Sequence, residues 1–515
     1  MEPIQVLWVD DEIDLLQPHM LFLEEKGYHV HPCSNGADAL DSLKSQYVDI
    51  VLLDENMPGM DGLEVLGHIK KDRPNLPVVM ITKSEAENIM EEAIGAKISD
   101  YLIKPVNPNQ ILLSLKKNLD DQRLVSEKTA STYQRSFQEL NNEINAAQTL
   151  QEWAEVYQKL IFWELEMEQL TSDGVQDILL FQKTEANQQF TRSVRQQYRN
   201  WMQENSDMVF SHRAFAELVV PRVTNDRPSL LLMIDNLRFD QWKIIQSALL
   251  PYYGLQEEKT YCSILPTATQ YARNAFFSGL LPNDIKKTHP QWWKDDVDEG
   301  GKNLFEDKLL QAQLDRMGLD WKHSYHKINK PEQGMKLAEQ LNNELHNKLT
   351  VVVYNFVDMI SHAKTEMDVI KELASTDKAY RSLTASWFAN SPLLEIVKKA
   401  QTLGFQLMIT TDHGTINVKN PVEVLGDRDT STNIRYKTGR RVNVKDKNVI
   451  SFDQPHSVGL PTVNMTSSYV FATEDRYLVY PTRYHHFVKY YKDTYQHGGV
   501  SLEEMLIPFA VLSPK

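Results

Sequence analysis

Several stretches of this chain place metal-binding or nucleophilic side chains where an apolar run stops. Met408–Thr411 leads straight into Asp412-His413-Gly414, and Ser229–Ile234 ends at Asp235, with Asn236, Arg238 and Asp240 just after. Val351–Val357 ends at Asp358, with His362 four residues on, and Tyr261–Leu265 leads into Pro266-Thr267-Ala268-Thr269. His497-Gly498-Gly499 stands near the C-terminus. An apolar run that stops at a carboxylate or imidazole reads as a buried strand delivering a ligand at its carboxyl end, the edge where open α/β sheets build their sites. Asp358 and His362 are expected to face one ion, with His497 completing the set. Asp235, Asp412 and His413 are expected to hold a second, with the Thr269 oxygen as a further ligand. Mixed carboxylate and imidazole ligation suits Zn²⁺ or Mn²⁺ better than Mg²⁺. A pair of such ions lowers a hydroxyl pKa, polarises a phosphoryl group and stabilises a departing alkoxide. Singly, each residue has a plainer reading: His497 as a loop histidine, Asp358 as a helix cap. Their coincidence at strand ends is what points to a site.

A second constellation lies at the start of the chain. Ile4–Val9 ends at Asp10, Asp11 and Glu12, Ile50–Leu53 at Asp54, Val78–Ile81 at Thr82, and Tyr101–Ile103 at Lys104-Pro105. Three carboxylates stay ionised side by side only when a cation compensates them, and all-oxygen ligation suits Mg²⁺. A carboxylate beside that ion can attack a phosphoryl group and become an acyl phosphate. The Lys104 ammonium and the Thr82 hydroxyl would bind the phosphoryl oxygens.

These side chains need elements to position them. Amphipathic stretches such as Leu15–Lys26 and Ala37–Lys44 alternate with the N-terminal strands, which implies a doubly wound parallel sheet over residues 1–119. From Asp120 to Ser206 the only Gly or Pro is Gly174, and apolar residues fall at helical spacing. Breaks near Thr149 and at Ser172-Asp173-Gly174 suggest three helices, a bundle over 120–206 with Trp153, Phe162, Trp163 and Trp201 in its core. Residues 207–515 repeat strand ends in the manner of an α/β sandwich. The fold class expected is therefore multi-domain α/β. A chain of 515 residues exceeds one hydrophobic core. A net charge of −15 leaves no global field for nucleic acid, and no recognition helix is evident. The basic stretch Asp427–Lys445 reads as a solvated excursion or as a mobile loop that greets a polyanion. Two cysteines, no leader at Met1 and no long apolar run imply a cytoplasmic protein without membrane insertion.

Residues 1–119, through the motifs VDDE, LLDENMPGMDG, ITK and KP, resemble the flavodoxin-like receiver domain of two-component response regulators. The resemblance implies Asp54 as phosphoacceptor, Mg²⁺ on Asp10, Asp11 and Asp54, and Thr82 with Lys104 as the switch pair. Tyr101 takes the aromatic switch position, and the Lys104–Pro105 bond would be cis. The ordered set Asp235, Thr269, Asp358-x-x-x-His362, Asp412-His413 and His497-Gly-Gly resembles the alkaline phosphatase superfamily, most closely its PglZ-type domain. Pro266-Thr-Ala-Thr269, followed by Gly279-Leu-Leu-Pro282, is similar to the nucleophile segment of its phosphodiesterase and nucleotide pyrophosphatase branch. That likeness makes Thr269, not Thr267, the nucleophile. Arg273 and Asn274 would bind phosphoryl oxygens or form ordinary helix surface. Thr269-Gln-Tyr-Ala-Arg273 does not fit a sulfatase, and a single nearby cation favours a diester over a monoester.

The three-part order resembles the response regulators of type IX secretion in Bacteroidetes. It implies a regulator phosphorylated by a sensor histidine kinase, with two Zn per effector domain and Mg in the receiver. Its substrate would be an oligonucleotide or cyclic nucleotide, and phosphorylation would pair two copies into a homodimer. The competing expectation is a non-catalytic protein that binds a sigma factor or a secretion component.

Overall fold

The computed structural model describes residues 4–74, 76–83, 98–168, 173–203, 206–426, 430–440, 442–444, 449–462 and 466–515. Within its helices the side chains of 120–131, 134, 173–176, 356, 362–364, 366, 368 and 369 lie outside that description. The chain divides into two compact units, Met1–Tyr133 and Gln134–Lys515.

In the first unit, strands β1 (Ile4–Val9), β2 (Tyr28–Cys33), β3 (Ile50–Asp54), β4 (Val78–Thr82) and β5 (Asp100–Ile103) form one sheet in the order β2-β1-β3-β4-β5. Every pairing is parallel. Central strands covered on both faces must be apolar throughout, which is why IVLL and VVMI show no alternation. Alternate residues feed two cores: Leu7, Val9, Val51 and Leu53 on one face, Val6, Trp8, Ile50 and Leu52 on the other. The helix Gly62–Asp72, capped by Asp61, starts hard against the β3 end. A Cβ at Gly62 would lie 2.3 Å from the Asp54 carbonyl oxygen, so only glycine allows that approach.

The second unit begins in the helix Pro108–Ala146 and continues with Leu150–Met167 and Asp173–Met202. The break near Thr149 is a capping box, with Thr149 and Glu152 satisfying each other's backbone N–H groups. Trp153, Tyr157, Phe190, Tyr198 and Trp201 are buried, whereas Phe162 is exposed and Trp163 half-buried, a correction to the expected core.

The six-stranded sheet that follows contains β6 (Ser229–Ile234), β7 (Tyr253–Cys262), β8 (His323–Ile328), β9 (Leu349–Tyr354), β10 (Gln406–Thr410) and the C-terminal strand Leu506–Pro514. Its order is β7, C-terminal strand, β10, β6, β9, β8. The run β10-β6-β9-β8 is parallel, and the C-terminal strand is antiparallel to both its neighbours. Thr410 pairs with Met233, and Ile234 with Tyr354, so the carboxyl ends of β10, β6 and β9 are level. That alignment carries everything that follows from one edge. β9 stops at Tyr354, so Asp358 sits in the first turn of the helix Phe356–Glu366 rather than at a strand end. The strand Thr494–Gln496 pairs antiparallel with Ile416–Val418 and brings His497 back to the same edge. The stretch expected as a basic loop contains the strands Tyr436–Arg440 and Asn443–Val444, with Arg435 and Lys437 buried (residues 427–429, 441 and 445 lie outside the described residues).

Candidate metal and nucleophile site

Thr269 is the first residue of the helix Thr269–Ser278, whose N-cap Ala268 provides no side-chain cap. Its Oγ1 lies 3.1 Å from His413 Nε2 and 3.5 Å from Asp235 Oδ1. Asp235, Asp412 and His413 are buried, and one ligand atom from each lies within 4.8 Å of the others. The imidazoles of His413 and His497 stack with centroids 4.3 Å apart. His497 Nε2 is 3.6 Å from Asp358 Oδ1. The side chain of His362 lies outside the described residues.

The tautomers follow from backbone contacts. His413 Nδ1 is 3.1 Å from the Gly414 carbonyl, and His497 Nδ1 is 3.2 Å from that of Thr267. A carbonyl only accepts, so each Nδ1 carries the proton and each Nε2 turns its lone pair toward the carboxylate cluster, where a cation would take it. Thr267, the rejected nucleophile, donates its hydroxyl to the Gly499 carbonyl (2.9 Å) and accepts from Gly498 N (3.0 Å). It is a strut.

Arg273 and Asn274 sit differently from the phosphoryl-binding expectation. Arg273 is fully buried, with Nε 3.0 Å from Asp412 Oδ2 and Nη2 against Asp235 Oδ2. Its Nη1 reaches Glu306 Oε1 (3.4 Å) and Asn355 Oδ1 (3.3 Å). Asn274 donates to the Lys302 carbonyl at 3.2 Å, away from the acid cluster. Helical spacing told where these residues stand but not that the guanidinium turns inward. Burial, opposed by Arg273 and reinforced by Asp412 and Asp358, pushes the Asp235 carboxyl well above the ordinary range. Burial acts on Asp412 in the same direction, but Arg273 and His413 outweigh it and hold Asp412 low. One guanidinium does not satisfy two buried carboxylates. A divalent cation would, and the lone-pair nitrogens and clustered oxygens fit one.

Residues to which the sequence assigns no role complete the frame. Asn236 adopts a left-handed backbone (φ 64°) at the β6 end, donating from Nδ2 to Ser361 Oγ (2.9 Å) and from its N–H to Asp412 Oδ1 (3.4 Å). Such strain in a non-glycine residue is a mark of functional sites. Glu504 and Arg435 form a wholly buried ion pair beside Gly499. Ser501-Leu-Glu-Glu504 fits the S-x-x-E capping pattern, the one sequence signal that would have drawn attention to it.

In the first unit, Asp10 and Asp54 are buried and Asp11 is exposed, again with one ligand atom each within 4.8 Å of the others. Lys104 Nζ lies 2.8 Å from Asp10 Oδ2 and 3.0 Å from Asp54 Oδ1. Burial, opposed by Lys104, raises the Asp54 carboxyl above its ordinary value. The Thr82 hydroxyl donates to the buried Glu55 carboxylate, Tyr101 is half-buried on β5, and the Lys104–Pro105 bond is cis as expected.

Residues 214–512, more than half of the chain, match the family described as the BREX system PglZ alkaline phosphatase-like domain. The chain belongs to the PglZ family. Residues 6–116 match the response regulator receiver domain, and 123–202 the PorX response regulator linker domain. Receiver, linker and PglZ domain in this order are those of a PorX-type two-component response regulator. Curated relatives match a smaller part. The transcriptional regulatory protein ZraR of Klebsiella oxytoca is 35% identical over 123 residues, 24% of this chain and 28% of that protein. The probable transcriptional regulatory protein TcrX of Mycobacterium tuberculosis is 31% identical over 115 residues, 22% of this chain and 49% of that protein. This chain thus spans less than half of either. A solved CheY-like receiver domain from Methanospirillum hungatei JF-1 is 29% identical and covers 24% of this chain and 97% of its own, with a TM-score of 0.23. Among the described residues no helix is long and apolar enough to cross a membrane.

Proposed function

We propose that the PglZ domain is a zinc-dependent phosphodiesterase with Thr269 as nucleophile, governed by phosphorylation of the receiver at Asp54. The observation that carries this reading is the Thr269 hydroxyl at an uncapped helix start, 3.1 Å from His413 and 3.5 Å from Asp235. Asp235, Asp412, His413 and Thr269 would hold one zinc; Asp358, His362 and His497 would hold the other. Zinc there supplies charge for the phosphoryl oxygens and lowers the pKa of the Thr269 hydroxyl.

Thr269 Oγ gives its proton to solvent and attacks phosphorus, and one ester oxygen leaves with the bonding pair and takes up a proton, giving a phosphothreonine that keeps the other ester. Water then attacks that phosphorus and returns the hydroxyl to Thr269. The dipole of the Thr269–Ser278 helix favours an anion at its start. Among the described residues the buried guanidinium at the site is already committed to Asp235, Asp412 and Glu306. Among the described residues the extra charge of a monoester finds no such partner, which supports a diester. Oligonucleotides or cyclic nucleotides are the substrates proposed, in a cytoplasmic regulator of type IX secretion that answers a sensor kinase and dimerises when phosphorylated.

The test compares zinc content and hydrolysis of bis(p-nitrophenyl) phosphate in wild type and Thr269→Ala. Two zinc per chain in both, with turnover lost only in the variant, is the expected result. Zinc without turnover in either, with Asp54 phosphorylated and with oligonucleotides also offered, would instead leave a metal-stabilised module that binds a sigma factor or a secretion component.

A further inference from the structure

His497 belongs to a strap, residues 497–504, that runs from the strand Thr494–Gln496 into the short helix Leu502–Met505. The strap is bonded tightly to the site. Glu504 Oε1 accepts from Gly499 N (2.8 Å) and Arg435 Nε (3.1 Å), while its Oε2 accepts from Ser501 Oγ (2.7 Å). Thr267 clasps Gly498 and Gly499 through its hydroxyl. Gly414, next to His413, donates its N–H to the Glu504 carbonyl at 3.1 Å. A Cβ at Gly414 would fall 1.9 Å from the Glu503 carbonyl oxygen, so the two segments touch backbone to backbone. Both metal-facing imidazoles therefore hang on this one strap.

Its far end is gripped by the middle helix Asp173–Met202. Asn187 Nδ2 donates to Glu503 Oε2 at 3.0 Å, and Asn187 Oδ1 accepts from Leu502 N at 2.8 Å. One turn earlier, Lys183 Nζ lies 3.4 Å from Glu503 Oε1 and 2.9 Å from Glu164 Oε2. Asn187, Lys183 and Glu503 are all buried. An apolar contact would hold the helix to the sheet as firmly. A buried amide with donor and acceptor both committed to one turn does something else: it fixes register, because any slip leaves polar groups unpaired.

We propose that Asn187, backed by Lys183, is a positioning residue for the metal site: the middle helix sets where the strap lies, and the strap sets where His497 and His413 point. The inference rests on the reading that these imidazoles hold zinc, and its test separates the two. Asn187→Asp sets a carboxylate against Glu503. Combining it with Glu503→Gln restores the pair with roles exchanged, the amide at 503 donating to the carboxylate at 187 while Leu502 N keeps an acceptor. Zinc affinity by chelator competition and amide hydrogen exchange at Gly414, Gly498 and Gly499 are measured on the full chain. The single variant is expected to weaken zinc binding by about tenfold or more and to speed exchange at the three glycines by about as much, with β6 amides unchanged. The double variant should recover both. Unchanged exchange at the glycines in the single variant, or a rise shared by β6 that the second substitution does not reverse, would overturn the proposal. Should Asn187→Asp not fold, Asn187→Leu removes both bonds without a new charge and takes the same measurements. If wild type binds no zinc, the metal reading fails by itself, and exchange at the three glycines with its rescue still decides whether Asn187 positions the strap.

Discussion

Both acid clusters of this chain set carboxylates around one internal cation, and they differ in what holds that cation. In the receiver, Lys104 sits on a flexible stem with 13% of its side chain exposed, and Asp11 faces solvent. In the PglZ domain, Arg273 is wholly buried and braced from behind by Glu306 and Asn355, with Glu306 in turn 2.8 Å from Lys327. A lysine is a point charge that can follow a phosphoryl group as it comes and goes. An anchored guanidinium fork fixes the direction of each carboxylate oxygen. The first arrangement suits a transient charge and an all-oxygen ion. The second, with two imidazoles added, suits a permanent site for a borderline metal.

The contrast can be broken in several ways. The largest effect is expected from Asp412→Asn, which should remove one zinc per chain and lower diester hydrolysis by about a thousandfold; full metal content and activity would remove Asp412 from the site. Next, Arg273→Met leaves buried carboxylates uncompensated and should cost about 3–5 kcal/mol. Lys104→Met also uncovers buried carboxylates, Asp10 and Asp54, but Asp11 beside them is exposed and the cluster can take up Mg²⁺ in place of the ammonium, so with magnesium present it should cost less than Arg273→Met. Hydrogen exchange of the β6 and β3 amides reads the two separately, and equal losses would erase the distinction. After chelation, micromolar zinc should restore exchange protection at the β6 and β10 ends where millimolar magnesium does not, whereas magnesium should protect the β1 and β3 ends. Protection of the PglZ strands by magnesium alone would mean that the imidazoles are not ligands.

A third buried cation provides a control for both. Lys437 has the Ser431 carbonyl at 3.0 Å and the Tyr480 ring at 4.3 Å in place of carboxylates. Burial takes its pKa down to about 7. Between that value and the ordinary 10.5 the unfolded chain binds the extra proton, so stability rises with pH across this window and the cost of the buried charge is complete below it. Lys437→Met should therefore stabilise the protein most at pH 6 and progressively less toward pH 10, by chemical denaturation. A gain that does not change with pH would mean that the ammonium is not what costs stability.

Much of this is legible in the sequence alone. Apolar runs that stop at Asp10, Asp54, Asp235 and Asp412-His413 announce strand ends, because a strand covered on both faces admits polar residues only where it leaves the sheet. The helix break at Thr149 was legible as well, since capping chemistry is local. Asp358 reads as a strand end because VVVYNFV is one apolar run, whereas the strand stops at Tyr354 and the buried Val357 already belongs to the helix. The inward turn of Arg273 escapes the sequence for a different reason. Whether a helical arginine meets solvent or a buried carboxylate depends on which helix face the sheet covers, and its partners Asp235, Asp412 and Glu306 lie tens of residues away in the chain. Arg435 and Lys437, read as part of a charged excursion, are buried for the same reason.

The sequence by itself determined the kinds of groups available: carboxylates, imidazoles and a hydroxyl at the ends of strands and the start of a helix, in an order shared with a family. Those are local properties of apolar runs, caps and turns. Tertiary structure alone decided which of them meet, which carboxylate carries the excess charge, which nitrogen of each histidine faces the carboxylates, and that a middle-helix asparagine bonds to the strap behind His497. Such facts depend on parallel strands ending level at one edge and on the desolvation that packing imposes there, and neither is written in any short stretch of the chain.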